Sequence, residues 1–271
     1  PEHLRAVIAI YATDDRYTDD VHYQGGLTRW IDLVDYCHYM TPMNALPPVP
    51  AVFGAGWRDE WRARIAEHEP WLLTWMSHQR RDSYWQHGSV RPGYDRIEIP
   101  TMIVAGWADG YRNNTFRTME ALGSNGVPRR LLAGPWSHAS TATSAPGPRI
   151  DLVPEMVAWW DRWLRGRDDA LPDGPETVWY VRESHLDTVP GEWRADVWPS
   201  PRSSVVELPL QGVDTAYAVR PWTGTAAWIS CAGHLPYGQP LDQRHDDADS
   251  LTWDLDVDGL EIVGHPRVRL R

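Results

Sequence analysis

IPTMIVAGWADG (99–110) and RRLLAGPWSHAS (129–140) are two apolar runs that each empty into a polar turn, the first at Asp109 and the second at His138. Short runs without polar interruption are what strands buried on both faces of a parallel sheet look like. Between them NNTFRTMEALGSNG (113–126) reads as a helix with Gly123 as its C-cap, which makes the stretch a β-α-β unit. One such step brings Asp109 and His138 to the same edge of the sheet. Catalytic triads on parallel sheets of this kind run nucleophile, acid, histidine along the chain, and acid then histidine is the order found here.

Upstream, LRAVIAIYA (4–12) has the character of a further buried strand and ends in the polar cluster ATDDRYTDD (12–20). From about Val21 to Gly93 the texture becomes aromatic and helical, in LTRWIDLVDYCHYM (27–40) and DEWRARIAEHEPWLLTWMSHQ (59–79). In the second, Trp61, Ile65, His68, Leu72 and Trp75 recur every three or four residues, and Pro70 splits it into two helices. The Pro-rich TPMNALPPVPAVFG (41–54) reads as a loop. Downstream, PEMVAWWDRWLRG (154–166) is an amphipathic helix with Met156, Trp159, Trp160, Trp163 and Leu164 on its inner side and Gly166 as its stop. Beyond DDALPDGPE the pattern turns to short strand-like runs separated by Pro and Gly: TVWYVRE, EWRADVWP, SVVELPL, LTWDLDV and LEIVGHPRVRLR, the texture of an antiparallel sandwich or jelly roll. The division expected is therefore an α/β core from 1–20 and 97–168, a helical insertion over 21–96, and a β-sandwich over 172–271.

The 271 residues carry 37 acidic and 26 basic side chains, a formal charge of −11, which argues against nucleic acid or an anionic membrane as partner. No stretch reaches the roughly 18 apolar residues of a membrane span, and Pro1-Glu2-His3-Leu4 resembles neither a signal peptide nor a natural start. The expectation is a cytoplasmic chain that is internal to a longer protein. Cys37 and Cys231 are far apart and outside any C-x-x-C, so neither a disulfide framework nor a thiolate zinc site is expected. Seventeen tryptophans against two phenylalanines are the oddity of composition, and most are expected to fill the core.

An aspartate on a strand-to-helix turn can hold the Nδ1–H of an imidazole, or it can N-cap the next helix. His138, just past the next strand, favours the first role. No G-x-S-x-G occurs anywhere in the chain, and Ser137, Ser89 and Ser124 lack the strand-to-helix elbow of a nucleophile. Trp107, Tyr111 and Trp136 flank the acid and base, and so either line a substrate pocket or pack the core. The acids Asp14, Asp15, Asp19 and Asp20, with His22, could hold a cation or a substrate ammonium group, but a solvated loop is the favoured reading. His78 and His87 do not form a zinc pair, and no phosphate loop or dinucleotide fingerprint is present. No metal or cofactor is called for.

GWADGY (106–111), AGPWSH (133–138) and the opening PEHLRAVIAIYATDDRYTDDVHYQGG resemble the cocaine-esterase-type and X-Pro dipeptidyl-peptidase-like family of serine hydrolases, the CocE/NonD hydrolases. The resemblance implies an α/β-hydrolase core interrupted by a helical cap and succeeded by a C-terminal jelly roll. It implies Asp109 as the triad acid and His138 as the general base. In that family the nucleophile elbow and the oxyanion-hole donors precede the point matching Pro1, the elbow by on the order of 15 residues. The resemblance therefore implies a serine hydrolase of small-molecule esters or amides, with X-Pro dipeptidyl-peptidase activity as an alternative and association with copies of itself left open. The rival from another class is a non-catalytic, Trp-rich binding module on a hydrolase-like scaffold.

Overall fold

The computed structural model describes residues 3–269 apart from 21, 25, 145–146, 184–189, 210–217, 219, 225–241, 255 and 257. Strand β1 (Val7–Ile10) is succeeded by a two-strand ribbon, β2 (Tyr23–Gln24) and β3 (Leu27–Thr28), and by five helices: α1 (Trp30–Asn44), α2 (Pro50–Phe53), α3 (Trp57–Glu67), α4 (Trp71–Ser77) and α5 (Ser83–His87). The chain then runs β4 (Thr101–Gly106), α6 (Thr115–Ser124), β5 (Arg129–Gly134), α7 (Val153–Arg165), β6 (Thr177–Arg182), β7 (Gly191–Asp196) and α8 (Arg244–Ala248). Two compact units result, one from Pro1–Thr13 with Gly93–Arg271, the other from Asp14–Pro92.

The first unit is a mixed sheet in the order β1-β4-β5-β6-β7, parallel through β6 and closed by an antiparallel β7. Every residue of β4 is buried, as a strand covered on both faces must be. Side-chain alternation sorts the two faces. Ile103, Ala105, Leu131 and Ala133 meet Phe116, Met119 and Leu122 of α6, whereas Met102, Val104 and Leu132 pack with Trp136 and with Trp159 of α7. Helix α7 ends where Gly166 takes the left-handed conformation that a glycine adopts without strain. Leu164, placed by the sequence on the inner side of that helix, is exposed, while Trp160 and Trp163 are partly buried against the sheet.

Three further expectations are corrected by the fold. Thr177–Arg182 and Gly191–Asp196 do not begin a separate sandwich; they extend the α/β sheet, Leu131 pairing with Thr177 and Tyr180 with Trp193. No strand occurs in the described part of 203–269, the stretch that holds SVVELPL, LTWDLDV and LEIVGHPRVRLR. Gly123 lies inside α6, whose C-cap is Asn125 with Gly126 left-handed after it. A side chain at 123 would collide with the Arg129 guanidinium, which donates to the Met119 carbonyl and to Glu176.

The second unit is helical, and Pro70 does separate α3 from α4. TPMNALPPVPAVFG is not a plain loop, because α1 continues through Pro42 to Asn44 and Pro50 opens the helical turn α2. The core of this unit gathers Tyr17, Tyr23, Leu33, Cys37, Trp75 and Trp85, with Tyr17 and Tyr23 stacked at 4.6 Å. Burial pushes the Cys37 thiol up; Cys231 lies outside the described residues.

The DDRYTDD acids are not solvated. Asp14, Asp15 and Asp20 are buried and matched by arginines: Arg91 to Asp14 at 2.8 Å, Arg81 to Asp15 at 2.7 Å, Arg16 to Asp20 at 2.8 Å, with Asp19 also on Arg91. Carboxylates taken out of water need such partners. His22 is buried edge-on to Trp75, its Nδ1 3.5 Å from Asp20. Among the described residues no group of His, Cys, Asp and Glu side chains is arranged to hold a metal ion, and no helix is long and apolar enough to cross a membrane.

Candidate active site

Beyond Gly106 and Gly134 the parallel ladder of β4 and β5 continues for a few residues. The Trp107 N–H donates to the Gly134 carbonyl at 2.9 Å and the Ala108 N–H to the Trp136 carbonyl at 3.0 Å. The chain then turns sharply, with the Asp109 N–H donating to the Gly106 carbonyl at 3.1 Å. Gly106 is required for this approach, since a Cβ there would collide with the Trp136 carbonyl. At Gly134 a Cβ would instead strike the Trp136 indole, which folds back under its own turn.

These turns bring Asp109 and His138 together. The His138 Nδ1–H donates to Asp109 Oδ2 at 2.7 Å, and the Tyr111 N–H donates to Oδ1 at 2.6 Å, so both carboxylate oxygens are engaged. The Asp109 side chain is 1 % exposed and that of His138 is 42 % exposed. A buried carboxylate fixed at two points thus holds the near nitrogen of an imidazole whose far nitrogen, Nε2, has no hydrogen-bond partner among the described residues. The Asp109 hydrogen bond raises the His138 pKa above its ordinary 6.5, against a smaller opposing effect of burial. Asp109 does not cap α6, whose N-cap is Asn114.

The aromatic neighbours divide. Tyr111 lies against His138, ring centroids 5.2 Å apart and nearly perpendicular. Trp107 is stacked on Phe116 at the α6 face of the sheet and donates its indole N–H to the Tyr180 carbonyl at 2.8 Å. Trp136 is fully buried with its N–H on the Pro148 carbonyl at 2.7 Å. Both indoles are placed as packing residues, leaving Tyr111 as the one of the three in ring contact with His138. Trp107→Phe is accordingly expected to lower stability by about 1 kcal/mol through the lost hydrogen bond, as thermal melts would show, while leaving the His138–Asp109 bond in place. Ser137 is buried and tied to Ser144, its N–H and Oγ each 3.0 Å from Ser144 Oγ. Ser89 and Ser124 donate to the Trp85 and Glu120 carbonyls.

A family model described as X-Pro dipeptidyl-peptidase (S15 family) matches residues 1–140 of the 271, a span that opens before β1 and closes two residues past His138. The chain belongs to the S15 family. Its relatives are hydrolases of the CocE/NonD kind. Cocaine esterase of Rhodococcus sp. (strain MB1 Bresler) is 30% identical over 158 residues, covering 54% of this chain and 26% of the esterase. A CocE/NonD family hydrolase of Staphylococcus aureus, known from its crystal structure, matches with a TM-score of 0.47 at 17% identity over 75% of this chain and 32% of that one. The chain thus spans about a quarter of the esterase's length and a third of the staphylococcal protein's.

Two site residues carried no signal in the sequence. Tyr11, directly after β1, places its ring 5.7 Å from His138. Asn114 donates through Nδ2 to the Ala12 carbonyl at 2.7 Å and the Tyr111 carbonyl at 3.1 Å, joining the end of β1 to the acid turn. Gly106 was more legible, since a glycine closing a buried strand marks a close backbone approach.

Proposed function

We propose that Asp109 and His138 are the acid and the general base of a serine hydrolase that cleaves esters or amides through an acyl-enzyme. The supporting observation is the 2.7 Å bond from His138 Nδ1 to a carboxylate that is itself buried and pinned by the Tyr111 N–H. His138 Nε2 removes the proton of a serine hydroxyl as the oxygen attacks the substrate carbonyl. The same proton then goes to the departing alkoxide or amine, and water repeats the cycle on the acyl-serine. Asp109 keeps the proton on Nδ1, leaving Nε2 as acceptor, and stabilises the imidazolium. No serine, threonine or cysteine among the described residues bonds to Nε2, so the nucleophile in this reading is a serine not among them. The helical unit Asp14–Pro92, inserted in sequence between β1 and β4, is assigned the role of a cap.

The test is a fluorophosphonate probe on the complete protein. Rapid labelling of one serine, lost in the His138→Ala variant, supports the reading; a folded protein that does not label moves the assignment to a binding module. Phenyl esters compared with X-Pro anilides then separate the esterase from the dipeptidyl-peptidase. Trp107 and Trp136, being occupied in packing, give no ground for choosing between the two.

The raised His138 pKa sets the pH profile. The base works only when neutral, so kcat/KM is expected to rise with pH along a limb whose midpoint lies above 6.5. The Asp109→Asn variant loses the main cause of the shift while burial remains, and its limb moves to lower pH. A limb unmoved by that substitution would assign it to another group. The stability linkage has the opposite sense: the ion pair's contribution is complete below the unfolded histidine value and is lost as pH rises through the folded one.

A further inference from the structure

We propose that Tyr11 is a positioning residue for His138, its ring forming a wall that keeps the imidazole aimed with Nδ1 on Asp109 and Nε2 free; this rests on the reading of His138 as the general base. Tyr11 is the non-glycine residue of the described chain with a positive φ, +49°, a region that side chains with a Cβ rarely occupy. It is held there from both sides. Its own N–H extends the ladder to the Val104 carbonyl at 3.0 Å, and the carbonyl of the next residue, Ala12, accepts from Asn114 at 2.7 Å. The left-handed turn directs the ring back over the end of β4, where the missing side chain of Gly106 leaves room; a Cβ there would stand 3.3 Å from Tyr11 Cε1.

The hydroxyl does not explain this conformation. It is buried and has no hydrogen-bond partner among the described residues. Burial, and then the charge of Asp109, keep the phenol protonated. A strained backbone and an unsatisfied hydroxyl both disfavour the fold, and local strain of this kind gathers at functional sites. What the arrangement supplies is contact: the Tyr11 ring lies 5.7 Å from the imidazole at 48°, and Tyr111 touches the same imidazole at 5.2 Å and 81°. The near nitrogen is tied to Asp109, but one hydrogen bond leaves the imidazole free to swing about it. Two aromatic contacts restrict that swing, and His138 is otherwise open enough to need them.

The discriminating substitutions are Tyr11→Phe, which keeps the ring, and Tyr11→Gly, which removes it while accepting the positive φ without strain. In the complete protein Tyr11→Gly should lower kcat on the order of 10- to 100-fold with little change in KM, as expected for misaimed catalytic groups. Tyr11→Phe should stay within about threefold of the parent. A second readout is the downfield proton resonance of the His138 Nδ1–H, sharp in the parent and in Tyr11→Phe but broadened by exchange with water in Tyr11→Gly. A folded Tyr11→Gly variant that keeps both kcat and the sharp resonance overturns the proposal. So does a Tyr11→Phe variant as impaired as Tyr11→Gly, which would transfer the role to the hydroxyl. A His138→Ala variant that retains turnover would instead remove the general-base reading, and the resonance still reports separately whether Tyr11 orients the ring.

Discussion

His138→Ala is expected to cost on the order of 10⁶ in turnover in the complete protein, and Asp109→Asn about 10⁴. The two figures differ for a structural reason. Removing the imidazole deletes the proton acceptor itself. Asparagine at 109 keeps the shape of the turn and can still receive the Tyr111 N–H through its carbonyl oxygen, as Oδ1 does now. It would then turn an amide NH₂ towards His138 Nδ1, where a carboxylate oxygen stands at 2.7 Å, and favour the tautomer with the proton on Nε2. That tautomer cannot deprotonate a serine. Steady-state hydrolysis of a phenyl ester, alongside circular dichroism to verify folding, measures both. Losses below about tenfold in folded variants would sink the assignment of both residues.

Arg91→Ala is the substitution expected to disturb the helical unit most. Arg91 lies 2.8 Å from Asp14 and 3.8 Å from Asp15, and it also binds Asp19. Two of those three carboxylates are almost wholly shielded from water. Removing the cation leaves uncompensated buried charge, a change that costs about 3–5 kcal/mol, more than the net stabilisation of the intact pair, from which the desolvation of both partners is deducted. Lysine should recover only part of the loss, because the guanidinium donates to Asp14 through two nitrogens, Nε and Nη2, which an ammonium cannot imitate. Urea titrations monitored by tryptophan fluorescence would report the change, since Trp75 and Trp85 sit in the core of this unit. A destabilisation under about 1 kcal/mol would show that the carboxylates are neutral or hydrated.

The strands that carry the candidate site were legible because each is a short apolar run ending in a polar turn, and the helix between them has one apolar face. The pairing partners of Thr177–Arg182 were not. Alternating residues fit a strand equally well whether it joins an existing sheet or begins a new one, and the DDALPDGPE stretch before it looks like a boundary. The acids of DDRYTDD misled for a related reason: Arg16, the partner of Asp20, lies within the stretch, but Arg81 and Arg91, which match Asp14, Asp15 and Asp19, lie far along the chain, and carboxylates read without them belong in water. Trp107 could have been placed by parity, since it continues the alternation of Ile103 and Ala105 towards α6. The backbone of Tyr11 had no signature, because nothing in IAIYAT separates a left-handed tyrosine from an ordinary end of a strand.

The same arginine marks where the helical unit closes on itself. The Val90 and Arg91 N–H groups both donate to the Asp14 carbonyl at 2.9 Å, so the two ends of the insertion are laced together. For the folding chain this shortens a long detour. β1 and β4 are neighbours in the sheet but are separated in sequence by the whole insertion, and once its ends are joined the path left to close from Val7 to Thr101 is about 17 residues rather than about 94. The logarithmic dependence of loop entropy on length makes that worth roughly 1.5 kcal/mol towards setting Val7 beside Thr101. The order of events should reflect this, with the insertion assembling first from contacts local to it and the first parallel pair of the sheet forming afterwards, across a gap already closed.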